Sequence, residues 1–115
     1  MVQAPFDFEA ARRERDLGMQ RAADRADRVN DGWTLTAYSN LVALARAHKL
    51  SEPMLGEDIR KLAYDAGLPR PPDERAWGAV FLRARKAGLM VPVGHGQAKS
   101  SHLSPKPLWR AALAA

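Results

Sequence analysis

The sequence predicts a mainly α-helical fold with a small β-hairpin at its C-terminal end. Three segments carry apolar residues at the i, i+3, i+4, i+7 spacing, which gives an amphipathic helix one apolar face. A highly charged segment precedes them, and a short segment of alternating apolar residues follows them. A chain of 115 residues suits one hydrophobic core, because two separate domains would each be too small to bury one.

The charged segment, residues 6–29, predicts a long N-terminal helix with one weakly apolar side. That side holds Phe8, Ala11, Met19, Ala22, Ala26 and Val29. Gly18 weakens the helix by about 1 kcal/mol relative to alanine. Such an alanine stripe can pack on another helix or form a homodimer, and the helix can equally be partly frayed. We therefore divide the chain into an N-terminal charged helix, residues 1–30, and a domain over residues 31–115.

The three amphipathic segments predict helices over residues 34–49, 55–66 and 73–87. Their apolar faces are formed by Tyr38, Leu41, Val42 and Ala45, by Ile59, Leu62, Ala63 and Ala66, and by Trp77, Val80, Phe81 and Ala84. Three such faces turned towards one another form a compact three-helix core.

Capping residues and helix breakers support these boundaries. Thr34 and Asp73 are predicted N-caps of the first and third helices. Gly67 and Gly88 suit the left-handed position that ends a helix. Prolines within residues 69–72 prevent a continuous helix between the second and third segments.

The C-terminal third predicts a hairpin. Residues 89–93 alternate as a strand does, and Pro92 favours an edge position because it cannot donate a hydrogen bond to a neighbouring strand. Residues 94–107 are predicted to be flexible, and residues 108–110 to form the returning strand. Three helices followed by a hairpin is the order of a winged helix-turn-helix domain, whose third helix is presented to DNA. A three-helix bundle with an irregular C-terminal arm fits the same pattern.

Charge is strongly segregated along the chain. All 13 acidic residues lie at or before Glu74, and residues 75–115 carry seven lysines and arginines with no acid. The first 74 residues carry 11 basic side chains against these 13 acids. An acid-free basic segment favours a polyanionic partner, and double-stranded DNA is the partner that the predicted winged helix suits.

The predicted DNA-binding residues lie on the third helix and on the loop after it. They are Arg75, Ala79, Leu82, Arg83 and Lys86 on the helix, and His95, Lys99, Ser100, His102 and Lys106 on the loop. We expect Arg75 to reach a base edge, and Arg83 and Lys86 to contact phosphates. The small residues Gly78 and Ala79 would let the helix approach the groove closely. The alternative is a solvated helix face beside a mobile surface loop.

The sequence offers little for catalysis. It has no cysteine, which excludes disulfides, thiol catalysis and thiolate zinc sites. His95 and His102 lack the two further ligands that zinc needs. No phosphate-binding glycine loop or serine elbow is present, and the basic segment has no carboxylate for nuclease chemistry. We predict no enzyme activity, no cofactor and no metal. The absence of a signal peptide or an apolar membrane span predicts a soluble, cytoplasmic protein.

Several fragments resemble a group of small phage and prophage proteins of proteobacteria that are described as helix-turn-helix-like. They include DGWT at 31–34, PPDERAWG at 71–78 and SPKPLWR at 104–110. The similarity covers roughly residues 20–110. It implies a phage origin and a place in the bacterial cytoplasm, without implying a reaction, a cofactor or a ligand.

Two functions of different classes follow from these observations. The first is a DNA-binding winged-helix module that acts in phage transcription regulation or replication. The second is a protein-binding adaptor or inhibitor that uses the same frame on a host protein, without DNA. The alanine stripe adds a possible homodimer through the N-terminal helix.

Overall fold

The computed structural model describes residues 7–97 and 105–112. Four helices and three strands occur there: α1 (Phe8–Val29), α2 (Trp33–Arg46), β1 (Met54–Leu55), α3 (Gly56–Asp65), α4 (Ala76–Lys86), β2 (Met90–Gln97) and β3 (Pro105–Ala111). The prediction of a mainly helical fold with a small C-terminal β-structure is confirmed. The third amphipathic helix of the sequence is α4.

The sheet has three antiparallel strands in the order β1-β3-β2. The predicted hairpin is present as β2 and β3, and Pro92 lies on an edge strand as expected. β1 was not predicted, and Leu55 was assigned to the start of a helix instead. β1 pairs only two residues with β3, Met54 opposite Trp109 and Leu55 opposite Leu108.

The prediction of a flexible segment over residues 94–107 is wrong at both ends. β2 continues to Gln97, which pairs with Pro105 at the start of β3. The pairing shifts by one residue between Pro92 and Gly94, and such a bulge bends the strand locally. Residues 98–104 lie outside the described part of the chain.

The start of α2 differs from the prediction. Gly32, in the left-handed conformation at φ 70°, precedes the helix, so Thr34 is not its N-cap. The backbone N–H and the hydroxyl of Thr34 instead donate to the carboxylate of Asp27, at 2.8 and 3.0 Å. An acidic side chain of α1 thus accepts hydrogen bonds from the first turn of α2, where the helix dipole also favours negative charge.

The other helix ends agree more closely with the sequence. Gly67 and Gly88 follow α3 and α4 with φ values of 104° and 74°, which confirms both left-handed positions. The predicted N-cap Asp73 is wrong by two residues, because Arg75 directly precedes α4. The Asp73 carboxylate accepts a hydrogen bond from the Arg75 backbone N–H at 2.9 Å and forms the turn before the helix.

An aromatic ladder of four rings runs through the core. Trp33 packs edge-on against Trp77 with ring centroids 5.3 Å apart. Trp77 stacks on Phe81 at 5.5 Å, and Phe81 stacks on Trp109 at 5.6 Å. The ladder thereby joins α2, α4 and β3.

α1 packs across α2 and α4 and contributes to the same core. Ala22 and Ala26 are buried in the central hydrophobic cluster, whereas Phe8 and Val29 near the two ends of the helix are largely exposed. The alanine stripe is therefore used within one chain, so these buried alanines offer no surface to a second copy. The predicted division of the chain at residue 30 stays a prediction.

α1 and α4 approach each other closely at Met19 and Gly78. A Cβ atom built on Gly78 would overlap Sδ of Met19 and lie 2.8 Å from its Cγ. Gly78 therefore leaves room for Met19 at this contact, because a larger residue there would displace the Met19 side chain.

We expect Gly78→Ala to lower the free energy of unfolding by about 1–3 kcal/mol, because the added methyl group overlaps Met19. In a Met19→Ala background the same substitution should be neutral or stabilising, since alanine is favoured over glycine inside a helix by about 1 kcal/mol. Urea unfolding of the four proteins measures this coupling. An equal cost in both backgrounds would contradict the packing of α1 on α4.

Candidate nucleic-acid interface

The outward face of α4 carries most of the helix residues predicted from the sequence. Trp77, Val80, Phe81 and Ala84 are buried as expected, so the opposite side of the helix faces away from the core. There Leu82 is 41% exposed, Lys86 is exposed and Ala79 is half-buried. The structure brings these three side chains together on one face.

Gly78 does not have the role that the sequence suggested. Met19 of α1 occupies the space beside it, so this position is not open to an approaching DNA groove. α1 therefore lies along this side of the outward face of α4 and reduces the width of the face that a ligand can reach. The approach open to a ligand runs over Ala79, Leu82 and Lys86.

Arg75 is exposed at the start of α4, but its guanidinium group is already engaged. Nε and Nη2 both donate to one carboxylate oxygen of Asp73, at 3.0 and 2.8 Å. These hydrogen bonds lower the pKa of Asp73 and raise the pKa of Arg75. The guanidinium also lies beside Gly18 of α1. Arg75 would have to exchange Asp73 for a base edge or a phosphate in order to contact DNA.

Arg83 lies on the other border of the face, towards α2. Its guanidinium carbon is 4.4 Å from the ring centroid of Tyr38, a cation–π contact. This contact orients the exposed side chain and leaves its charge in place. Arg83 can therefore still contact a phosphate beside α2.

The β2–β3 hairpin carries the remaining basic residues of the described segment. His95 and Lys106 are exposed on β2 and β3, where they pair with Pro107 and Gly96. Arg110 is also exposed on β3. The stacking of Trp109 on Phe81 fixes this hairpin beside α4. Lys99, Ser100 and His102 lie outside the described residues.

Sequence reasoning missed three basic residues near this surface: Arg15, Arg85 and Arg110. Arg85 was counted in the acid-free segment, but a helical wheel places it beside Phe81 rather than on the outward face. Arg15 belongs to α1, whose docking places it near α4 and β3, where it lines the same groove as Arg85. No local sequence pattern predicts that α1 docks near α4 and β3.

A polar brace fixes the start of α4 to α3. The hydroxyl of Tyr64 donates to both carboxylate oxygens of Glu74, at 2.7 and 2.9 Å, and accepts from Nε1 of Trp77 at 2.8 Å. Arg60 and Arg70 pair with the same carboxylate at 3.5 and 3.6 Å. Partial burial and the hydrogen bond to Glu74 raise the pKa of Tyr64 to about 12, so it stays neutral at physiological pH.

Within residues 7–97 and 105–112, no three histidine, cysteine, aspartate or glutamate side chains lie together as a metal site would require. The helices of this same region are too short or too polar to cross a membrane.

We expect Tyr64→Phe to lower the free energy of unfolding at pH 7 by about 1–3 kcal/mol, because Nε1 of buried Trp77 loses its acceptor. Since folding raises the pKa of Tyr64 from 10.0 to about 12, its stabilising effect is complete below pH 10 and is lost as the pH rises to 12. The stability difference between wild type and Tyr64→Phe should therefore shrink over that range in urea unfolding.

The control is Tyr38→Phe, which removes the hydroxyl of the other tyrosine in the chain. If the free energies of unfolding of wild type and Tyr64→Phe changed in parallel between pH 10 and 12, this would contradict the role given to the brace.

Comparison of the chain with protein-family models, with curated proteins and with solved structures finds no match. The resemblance of residues 20–110 to phage proteins therefore stays a prediction.

Proposed function

We propose that this chain is a DNA-binding winged-helix module of phage origin that acts in transcription regulation or replication. The element order from α2 to β3, with strands in the order β1-β3-β2, is the arrangement expected of a winged helix. In this proposal α4 enters the groove and the β2–β3 hairpin is the wing.

The observation that carries the proposal is the position of the acid-free segment in the fold. Residues 75–115 supply α4 and the hairpin, and they contain seven basic side chains and no acid. The stacked pair Phe81 and Trp109 holds these two elements side by side. A basic helix and a basic hairpin held together attract phosphates electrostatically.

Most of these residues position the protein on the DNA, and one of them reads the bases. Lys86, Arg83 and Lys106 contact phosphates, because they are exposed cations at the borders of the surface. Ala79 allows close approach of the helix backbone. Arg75 reads a base edge after it exchanges its carboxylate partner for guanine.

The experiment is fluorescence anisotropy of a labelled random duplex at about 50 and 200 mM salt. With three to five phosphates neutralised, log K should fall with log salt at a slope of about −3 to −4.5. Lys86→Gln and Lys106→Gln should each weaken binding and reduce the slope by about 1. Lys61→Gln removes the same charge at an exposed position of α3, outside the acid-free segment. It should change neither the affinity nor the slope.

A slope near zero would contradict the proposal, as would equal effects of all three lysine variants. Absence of binding at the lower salt would favour the adaptor function. In that case Leu82→Asp, at the exposed apolar position of α4, is the variant that should disrupt capture of a protein partner.

A further inference from the structure

We propose that the groove between α1, α4 and β3 is a binding site for a small planar aromatic anion, such as an aryl carboxylate. We call it the α1–α4 groove. Its volume is about 810 Å³, and its walls come from the N-terminal half of α1, the start of α3, one side of α4 and the first half of β3. Sites for small molecules have volumes of this order and are lined mainly by apolar and aromatic side chains.

The floor of the α1–α4 groove is the exposed end of the aromatic ladder. Trp77 and Phe81, at 1% and 9% exposure, lie buried beneath it, and half-buried Trp109 is the ring of the ladder that a ligand can reach. Leu82, which is 41% exposed on α4, continues the apolar surface. A planar apolar ligand would cover this surface and remove it from water, which favours binding.

One of the three glycines that line the groove keeps part of its floor free of a side chain. Gly18, Gly56 and Gly78 line the groove on α1, α3 and α4. A Cβ atom on Gly56 would lie 3.4 Å from Cε2 of Phe81 and so would cover part of the aromatic floor. Gly56 therefore leaves the Phe81 side of the groove open, whereas Met19 fills the space beside Gly78 and Arg75 lies beside Gly18.

The charges around the groove favour an anion. Five cations and three carboxylates line it: Arg15, Arg60, Arg75, Arg85 and Lys106, with Glu14, Glu57 and Glu74. Arg60 is paired with Glu74, and Arg75 is paired with Asp73. Arg15, Arg85 and Lys106 come from three different elements, and the lining as a whole carries more cations than carboxylates.

Two of these cations line the groove together with the aromatic residues. Arg85 follows Phe81 by one helical turn on α4, and Lys106 precedes Trp109 on β3. A ligand whose ring covers the floor can thus place its negative group between a guanidinium and an ammonium group. Paired cations beside an aromatic surface distinguish an aromatic anion from a neutral molecule of the same shape. This site requires no nucleic acid and does not depend on the DNA-binding proposal.

The test uses two probes of similar shape, 2-naphthoate and the neutral 2-naphthalenemethanol, titrated into the full chain by calorimetry. We expect 2-naphthoate to bind about tenfold more tightly, because two partly exposed charge contacts each contribute about two- to fivefold. Arg85→Gln and Lys106→Gln should each reduce that preference by about two- to fivefold. Lys61→Gln on α3 is the matched control and should leave it unchanged.

A second variant separates the groove from the rest of the surface. Ala11→Trp places a large ring on the α1 wall, where Ala11 lines the groove. It should abolish binding of both probes. Its far-ultraviolet circular dichroism and its melting transition should show that the chain is still folded. Failure of both probes to bind the wild type would overturn the proposal. Equal affinity for the two probes, or binding that survives Ala11→Trp in a folded chain, would overturn it as well.

Discussion

The packing of rings around Trp77 is the constraint on which the rest of the structure depends. Trp77 contacts Trp33 of α2 and Tyr64 of α3, and through Phe81 it reaches Trp109 of β3. Its indole N–H is satisfied by the tyrosine hydroxyl, so a fully buried polar group has its partner. One side chain of α4 thereby sets the positions of two helices and the hairpin. The proposed interface has a defined shape because α4 and the hairpin share this core.

The docking of α1 on α4 gives the molecule its second defining feature. Met19 against Gly78 brings the two helices close together at one point, and the α1–α4 groove lies beside that point. The same contact narrows the outward face of α4, so that Ala79, Leu82 and Lys86 form its accessible part. The N-terminal helix therefore shapes both the proposed DNA surface and the proposed ligand groove. Its buried alanines serve this docking.

The sequence predicted what depends on local periodicity and missed what depends on contacts between distant segments. The spacing of apolar residues located α2, α3 and α4, and it placed Leu82 on an outward face, because a helical wheel needs only neighbouring residues. β1 was missed because two residues carry no pattern and are ordered only by pairing with β3. The sequence did not show that Met19 fills the space beside Gly78 or that Asp73 holds the guanidinium group of Arg75, because both contacts depend on the folded conformation. The charge segregation was visible in the sequence, but its placement around one core required the structure.

The central claim is that the outward face of α4 and the β2–β3 hairpin form one nucleic-acid surface. The most direct test is a ¹⁵N–¹H correlation spectrum of the labelled chain, titrated with a short random duplex at about 50 mM salt. The account predicts that amide shifts concentrate at Ala79, Leu82 and Lys86 of α4 and at Lys106 and Arg110 of β3, while α3 amides stay in place. Shifts confined to α1 or α3, or an unchanged spectrum at saturating duplex, would contradict it.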